Sequence, residues 1–191
     1  MSLTFFDLAA LPATPWKNGG GATREIVCQP PGAGMDSFDW RVSIATIASA
    51  GPFSVFPGVD RVIMLLDGDG VHLRGLGVDH RLDMPLAPFP FAGDVALDCA
   101  LLGGTSSDFN VMTRRGTLRA DVRVLRVATD LAAVERGLLL ALGGAWQFDG
   151  DGAALRCEAG TGVWWQGSAH GGYVAPQQPG AVLVVVQLHR A

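Results

Sequence analysis

The sequence predicts an all-β fold with very little helix, and three observations carry that reading. Apolar residues recur with period two, as in Trp40-Arg41-Val42-Ser43-Ile44-Ala45-Thr46-Ile47, where successive side chains face opposite sides of a sheet. The 26 glycines and 11 prolines are spread along the 191 residues rather than pooled, which suits many turns and not a disordered linker. Helical spacing occurs in one segment, Asp130 to Leu140. Short strands between glycine turns imply a β-sandwich or barrel.

In chain order, Ala22 to Cys28 reads as a strand that follows a run of three glycines, and Trp40 to Ile47 as the next. Gly51-Pro52-Phe53-Ser54-Val55-Phe56-Pro57-Gly58 is a loop held by proline and aromatic packing; its two Phe residues read as core plugs, with Phe53 able to wall a pocket. Arg61 to Leu66 is an apolar strand that ends at Asp67-Gly68-Asp69-Gly70 and is followed by Val71 to Arg74. A hairpin is expected there, because Asp-Gly supplies the positive φ values that tight turns need. Val95 to Leu102, Phe109 to Thr113 and Leu118 to Ala128 follow as strands. Asp130 to Leu140 is expected to be a helix, with Asp130 as N-cap and Gly143 as stop. Ala153 to Cys157, Gly162 to Trp165 and Ala181 to Leu188 complete the series. Trp164-Trp165 reads as core on one side and rim or interface on the other.

A short internal match adds to this. Asp67-Gly68-Asp69-Gly70-Val71-His72-Leu73-Arg74 recurs as Asp149-Gly150-Asp151-Gly152-Ala153-Ala154-Leu155-Arg156, 82 residues on and identical at six of eight positions. That offset is close to half the chain, as two similar β-barrel halves would give. Two turns converging on the same chemistry would give it as well.

Composition bounds the function. Apolar residues make up 49% and charged residues 17%, enough for a substantial core. The net charge is −4 and no basic run exceeds Arg114-Arg115, so no nucleic-acid partner is expected. The start of the chain lacks a basic region followed by an apolar one, so no signal peptide is read. Ala181 to Leu188 is too short to cross a bilayer, so no membrane association is expected. Cys28, Cys99 and Cys157 are isolated and odd in number; buried free thiols in a reducing, cytoplasmic compartment are expected.

The most motif-like stretch is Pro15-Trp16-Lys17-Asn18-Gly19-Gly20-Gly21-Ala22-Thr23-Arg24-Glu25-Ile26, and it holds the one lysine of the chain against 13 arginines. A lone lysine in an arginine-rich chain points to a position where a compact ammonium does what a planar guanidinium cannot. Trp16-Lys17-Asn18-Gly19-Gly20-Gly21, Trp40-Arg41-x-Ser43, Gly51-Pro52-Phe53-Ser54-x-Phe56-Pro57-Gly58-x-Asp60-Arg61 and Asp108-Phe109-Asn110-x-Met112-x-Arg114-Arg115-Gly116 together resemble the HutD/Ves family, from about Thr14 to Gly116. The resemblance implies a bicupin, two cupin-like β-barrels in one chain, here taken as residues 1–116 and 117–191 around a shared core. It also implies a link to bacterial histidine utilisation through binding of an intermediate such as formylglutamate or urocanate, without an established catalytic activity.

The motif residues have a chemistry of their own. Gly19, Gly20 and Gly21 bring backbone close to a ligand and offer amide N–H groups to an anion, unless they serve only as a turn. Lys17 adds a charge and Asn18 a donor and an acceptor, with Trp16 in front. Arg41 and Ser43 share one face of their strand, and Arg41 needs an anion or an ion-pair partner, for which Asp60, Glu25 and Asp108 are candidates. Asp108, Asn110 and Met112 share a face of theirs. If both faces line one cavity, then Lys17, Arg41, Arg61, Asn18, Asn110 and Asp108 make a site for a small anionic metabolite carrying an amide or amine. Arg114 and Arg115 are expected near a strand end.

Metal chemistry in cupins needs clustered histidines. Here His72, His80, His170 and His189 form no HxH pair, and His170 is expected in a loop, so no metal and no other cofactor is expected. Ser43 and Ser54 lack a nucleophile elbow. Three functions remain: a metal-free metabolite-binding regulatory protein, a cofactor-free isomerase or hydrolase of a related amido acid, and a protein-interaction module acting on a pathway enzyme or regulator. A homodimer is expected, because hydrophobic edge strands need covering.

Overall fold

The computed structural model describes residues 3–150 and 153–191, and every regular element in them is a strand. In chain order these are β1 (Leu3–Asp7), β2 (Ala13–Pro15), β3 (Gly21–Gln29), β4 (Trp40–Ile47), β5 (Gly51–Phe53), β6 (Val59–Asp67), β7 (Val71–Gly75), β8 (Val78–Leu82), β9 (Phe89–Ala92), β10 (Leu97–Leu101), β11 (Ser106–Arg114), β12 (Leu118–Leu125), β13 (Thr129–Gly143), β14 (Trp146–Gly150), β15 (Ala153–Cys157), β16 (Thr161–Pro176) and β17 (Val182–Arg190). The all-β class read from the sequence is the observed one. No helix among the described residues is long and apolar enough to cross a membrane.

The chain divides into two compact units: Pro12–Arg119, and Ala120–Arg190 together with the described residues up to Leu11. Strand β1 belongs to the second unit because it pairs along β16, from Leu3 opposite Trp165 to Asp7 opposite Thr161. The sequence division at 116 had these residues in the first barrel; nothing in a five-residue strand announces so distant a partner.

The first unit holds two sheets, ordered β2-β3-β4-β11-β6-β9 and β5-β10-β7-β8. A core of Ile47, Ile63, Leu65, Val71, Leu73, Leu82, Leu97 and Cys99 draws from both, so it lies between them. Along β6 the same inward face begins at Arg61 and continues to Ile63 and Leu65, so polar cavity and apolar core are consecutive stretches of one surface.

The second unit is one sheet ordered β12-β17-β13-β16-β14-β15, with β1 added on β16. Its core takes Leu131, Val134, Trp146, Phe148, Trp165, Val174 and Val185. Trp165 is fully inside, its indole N–H donating to the Val134 carbonyl at 2.8 Å, while Tyr173 is exposed.

Two expected elements are different in the structure. The segment Asp130 to Leu140 is the middle of β13 and not a helix. Its register on β16 shifts twice, between Leu131 and Val134 and between Val134 and Arg136. These bulges turn Leu131 and Val134, three residues apart, toward the same core. A period of three produced by bulges had the look of a helical stripe, and Asp130 sits opposite Tyr173 in the ladder instead of capping anything.

The expected hairpin at Asp67–Gly70 is a passage between sheets. β6 pairs with β11 and β9, whereas β7 pairs with β10 and β8. The positive φ values are there, 91° at Gly68 and 88° at Gly70. The turn is pinned by the 104–106 segment: the Gly70 amide donates to Ser106 Oγ at 2.8 Å and the Gly104 amide to Asp69 Oδ2 at 2.7 Å. The matching second stretch does lie at a hairpin, since Gly150 stands opposite Ala153 in the β14–β15 pair, with Asp151 and Gly152 outside the described residues. The first copy thus joins two sheets, whereas the described residues flanking the second belong to one hairpin.

Candidate functional site

Strands β3, β4, β11 and β6 build the floor of a cavity in the first unit, of about 630 Å³. Their register sets out its chemistry in rows. Met112 lies between Arg41 and Arg61, Asn110 between Ser43 and Ile63, and Asp108 between Ala45 and Leu65. Side-chain alternation thus brings Arg41, Ser43, Arg61, Asp108 and Asn110 to one cavity, as their sequence spacing implies, and all five are buried. Trp16, Lys17 and Asn18 line the same cavity from the β2–β3 turn, with Lys17 and Asn18 exposed.

Gly19, Gly20 and Gly21 are not part of the lining. They close a hairpin in which the Trp16 amide donates to the Gly21 carbonyl at 2.9 Å. The Gly19 amide is spent on the Trp16 carbonyl and the Gly20 amide on Asn18 Oδ1, at 3.0 Å each. Gly19 takes a φ of 71°, and a Cβ on Gly21 would collide with the Thr46 carbonyl. The run is thus a turn that displays Lys17 and Asn18, with the Gly19 and Gly20 amides spent inside it. The indole N–H of Trp16 is held by Thr23 Oγ1 at 2.8 Å.

Each cation has a distinct setting. Arg41 Nε donates to Glu25 Oε2 at 2.7 Å and its Nη1 to Ser43 Oγ at 3.2 Å, so Glu25 is its partner. A bulge between Glu25 and Val27 places that carboxylate opposite Ser43. Asp60 instead pairs with Arg115, which also meets Asp94. Arg61 is 4% exposed and its guanidinium carbon stands 4.6 Å from the Phe53 ring centre, 5.3 Å from Phe56 and 5.0 Å from Phe91. Burial lowers its pKa to about 10, partly countered by Asp108. It therefore remains a cation at neutral pH. Among the described residues Lys17 forms no ion pair.

Asp108 is the unusual group. It is 2% exposed, and among the described residues neither carboxyl oxygen has a hydrogen-bond partner; the Oδ1 of Asn110 and the Nε of Arg61 have none either. Burial pushes the Asp108 carboxyl from an ordinary 3.8 up to about 7, against the pull of Arg61. A carboxyl in that range at a cavity wall can accept, donate or exchange a proton near neutral pH.

Of the aromatic cage the sequence offered only Phe53 as a pocket wall, and read Phe56 as a core plug. Phe53 and Phe56 line the cavity and Phe91 completes the enclosure of Arg61. The one signal was three Phe residues near an arginine that must be buried, and no spacing rule makes them converge. Met35, 47% exposed, lies on the cavity wall from the β3–β4 connection. That connection is tied down by Arg114, whose guanidinium donates to the Asp36 and Phe38 carbonyls at 3.0 Å each and to Pro57 at 3.3 Å. Arg114→Lys is expected to lower stability by about 1–2 kcal/mol in thermal unfolding, since one ammonium cannot span three carbonyls in a fixed fork. Equal melting of the two proteins would show that the clamp is idle.

The lining does not fit a metal. It contains no histidine and no cysteine, and of its two carboxylates Glu25 is held by Arg41. Among the described residues no three His, Cys, Asp or Glu side chains converge. His170 lies within β16, buried edge-on against Trp165, rather than in a loop. His72 faces Asp79 at 2.5 Å and His80 stacks on Phe89. Cys28, Cys99 and Cys157 are free, and burial raises all three thiols, Cys99 to about 11. None is an activated nucleophile.

The strands share the fold of cupin-like barrel proteins. A Cupin 2 conserved barrel domain protein from Leptotrichia buccalis matches 97% of the chain and 96% of its own, with a TM-score of 0.61 at 8% identity, a likeness of fold alone. More specifically, the chain belongs to the HutD family, whose model, described as HutD, matches residues 8–183. Protein Ves of Cronobacter sakazakii is 43% identical over 169 residues, 88% of this chain and 90% of that one. A conserved protein of unknown function from Pseudomonas aeruginosa matches 98% of this chain and 99% of its own with a TM-score of 0.90 and 31% identity. The HutD structure from Pseudomonas fluorescens matches all of both chains with a TM-score of 0.81 and 27% identity.

Proposed function

We propose that this HutD-family chain is a metal-free binding protein for a small carboxylate metabolite of histidine utilisation, such as formylglutamate or urocanate, with a regulatory or auxiliary role. The observation that carries this is the charge balance of the cavity. Arg41 is matched by Glu25, whereas among the described residues Lys17 and Arg61 form no ion pair, and Asp108, raised to about 7, is only partly ionised at neutral pH. The site therefore carries net positive charge, and its volume suits a small metabolite. Titration calorimetry of the purified protein with N-formyl-L-glutamate and urocanate tests the proposal. Saturable heat that weakens at least tenfold in Lys17→Ala is expected. Absence of heat with every carboxylate intermediate of the pathway would overturn it.

One observation favours a second reading, a cofactor-free isomerase or hydrolase. Asp108 lines the cavity with both carboxyl oxygens unpartnered among the described residues, and burial raises it to about 7, the range in which general acid–base work is done. Turnover of either compound by protein treated with a chelator decides for it.

A further inference from the structure

Among the polar side chains of the cavity, most already have partners inside the protein. Arg41 is engaged by Glu25 and Ser43, Trp16 by Thr23, Asn18 Oδ1 by the Gly20 amide, and Arg61 Nη1 by the Ser54 carbonyl at 3.2 Å. The exceptions are concentrated on β11, where both oxygens of Asp108 and the Oδ1 of Asn110 are buried acceptors without a donor. Their cross-strand neighbours explain why. Asp108 lies between Ala45 and Leu65, which have no polar group to offer, and Asn110 lies between Ile63 and Ser43, whose hydroxyl oxygen accepts from Arg41. Buried acceptors left unpaired are costly, and the protein holds them at the wall of its own cavity.

We infer that Asp108, with Asn110 beside it on the same strand face, is the selectivity pole of this cavity. It receives an N–H or O–H donor of the ligand, so the site takes an amido or amino acid in preference to a plain dicarboxylate of similar length. The cations Arg61 and Lys17 hold the carboxylate end, and the acceptors on β11 read what the rest of the molecule carries. This rests on the cavity being a small-carboxylate site. A diacid that lacks the amide brings no N–H to this wall and leaves the acceptors of Asp108 and Asn110 unpaired. An amide N–H or an ammonium satisfies them, and discrimination by an unpaired buried polar group is strong.

Titration calorimetry with N-formyl-L-glutamate and with glutarate, which has the same diacid backbone and no amide, tests this on the full chain. Binding of N-formyl-L-glutamate at least tenfold tighter than glutarate is expected. Asp108→Leu, which removes the acceptor, is expected to bring the two acids within about threefold of each other, and Asp108→Asn, which keeps a carbonyl, to retain part of the preference. Thermal melts of both variants confirm that they fold; if Asp108→Leu does not, Asn110→Leu takes its place with the same expected loss of preference. Equal binding of both acids by the unaltered protein overturns the inference and leaves the carboxylate site standing. A preference that survives Asp108→Leu overturns it too. Binding of neither acid overturns both.

Discussion

Asp108→Asn is expected to be no more stable than the unaltered protein below about pH 4, and more stable by up to roughly 3–4 kcal/mol above about pH 7. The folded carboxyl titrates near 7 because burial disfavours its charge, with Arg61 opposing, while the unfolded one titrates at an ordinary 3.8. Between these values the folded state holds a proton that the unfolded chain has released. Stability of the unaltered protein therefore falls as pH rises through that window and levels off above it. Asparagine has nearly the same shape and cannot ionise, so the gap between the two proteins opens over the same window. The figure is a ceiling, since any water entering the cavity solvates the carboxylate. Urea midpoints at several pH values measure it, and a constant difference from about pH 4 to about pH 8 would defeat the account. A residue that weakens the fold at neutral pH and faces a cavity marks a site where stability has been traded for binding or chemistry.

Legibility in the sequence followed the range of each interaction. The β4 and β11 faces were readable because side-chain alternation is local: Arg41 with Ser43, and Asp108 with Asn110, were assigned to common faces and line one cavity. The motif around Trp16 locates Lys17 and Asn18 at the same place, but gives the glycines a ligand-facing role although none lines the cavity and the Gly19 and Gly20 amides are engaged in the turn. Glu25 could be named as one of three possible partners for Arg41; choosing it needed the bulge at Glu25–Val27, which no composition reveals. The misread helix at Asp130 failed for the same reason, because bulges alter a period that sequence reading takes as regular. The Phe53, Phe56 and Phe91 enclosure of Arg61 and the placement of β1 on β16 rest on contacts between distant segments, and only the folded chain brings those together.

Arg61→Met is expected to cost roughly 2–4 kcal/mol at about pH 8 and roughly half as much at about pH 5, with most of the difference absent in an Asp108→Asn background. Methionine keeps an apolar stem among Phe53, Phe56 and Phe91, so packing against the rings is largely preserved. Two kinds of interaction are lost: the attraction of the cation to the three rings together with its hydrogen bond to the Ser54 carbonyl, and its field on Asp108. The first does not depend on pH, because Arg61 stays charged throughout this range with a pKa of about 10. The second does. At about pH 5 Asp108 is protonated with or without Arg61, so removing the cation leaves no buried charge behind. At about pH 8 the unaltered protein holds an ionised Asp108 opposite Arg61, and in the variant that carboxyl must either stay charged alone or keep its proton at a further cost in stability. Unfolding of the single and double variants at both pH values forms a cycle that isolates the coupling. A cost for Arg61→Met that is the same at both pH values would mean the guanidinium acts through its rings and the Ser54 carbonyl, with no field on Asp108. The same field that lets Asp108 ionise is the one a ligand carboxylate would meet, so the cycle also measures how strongly this cavity is set to receive an anion.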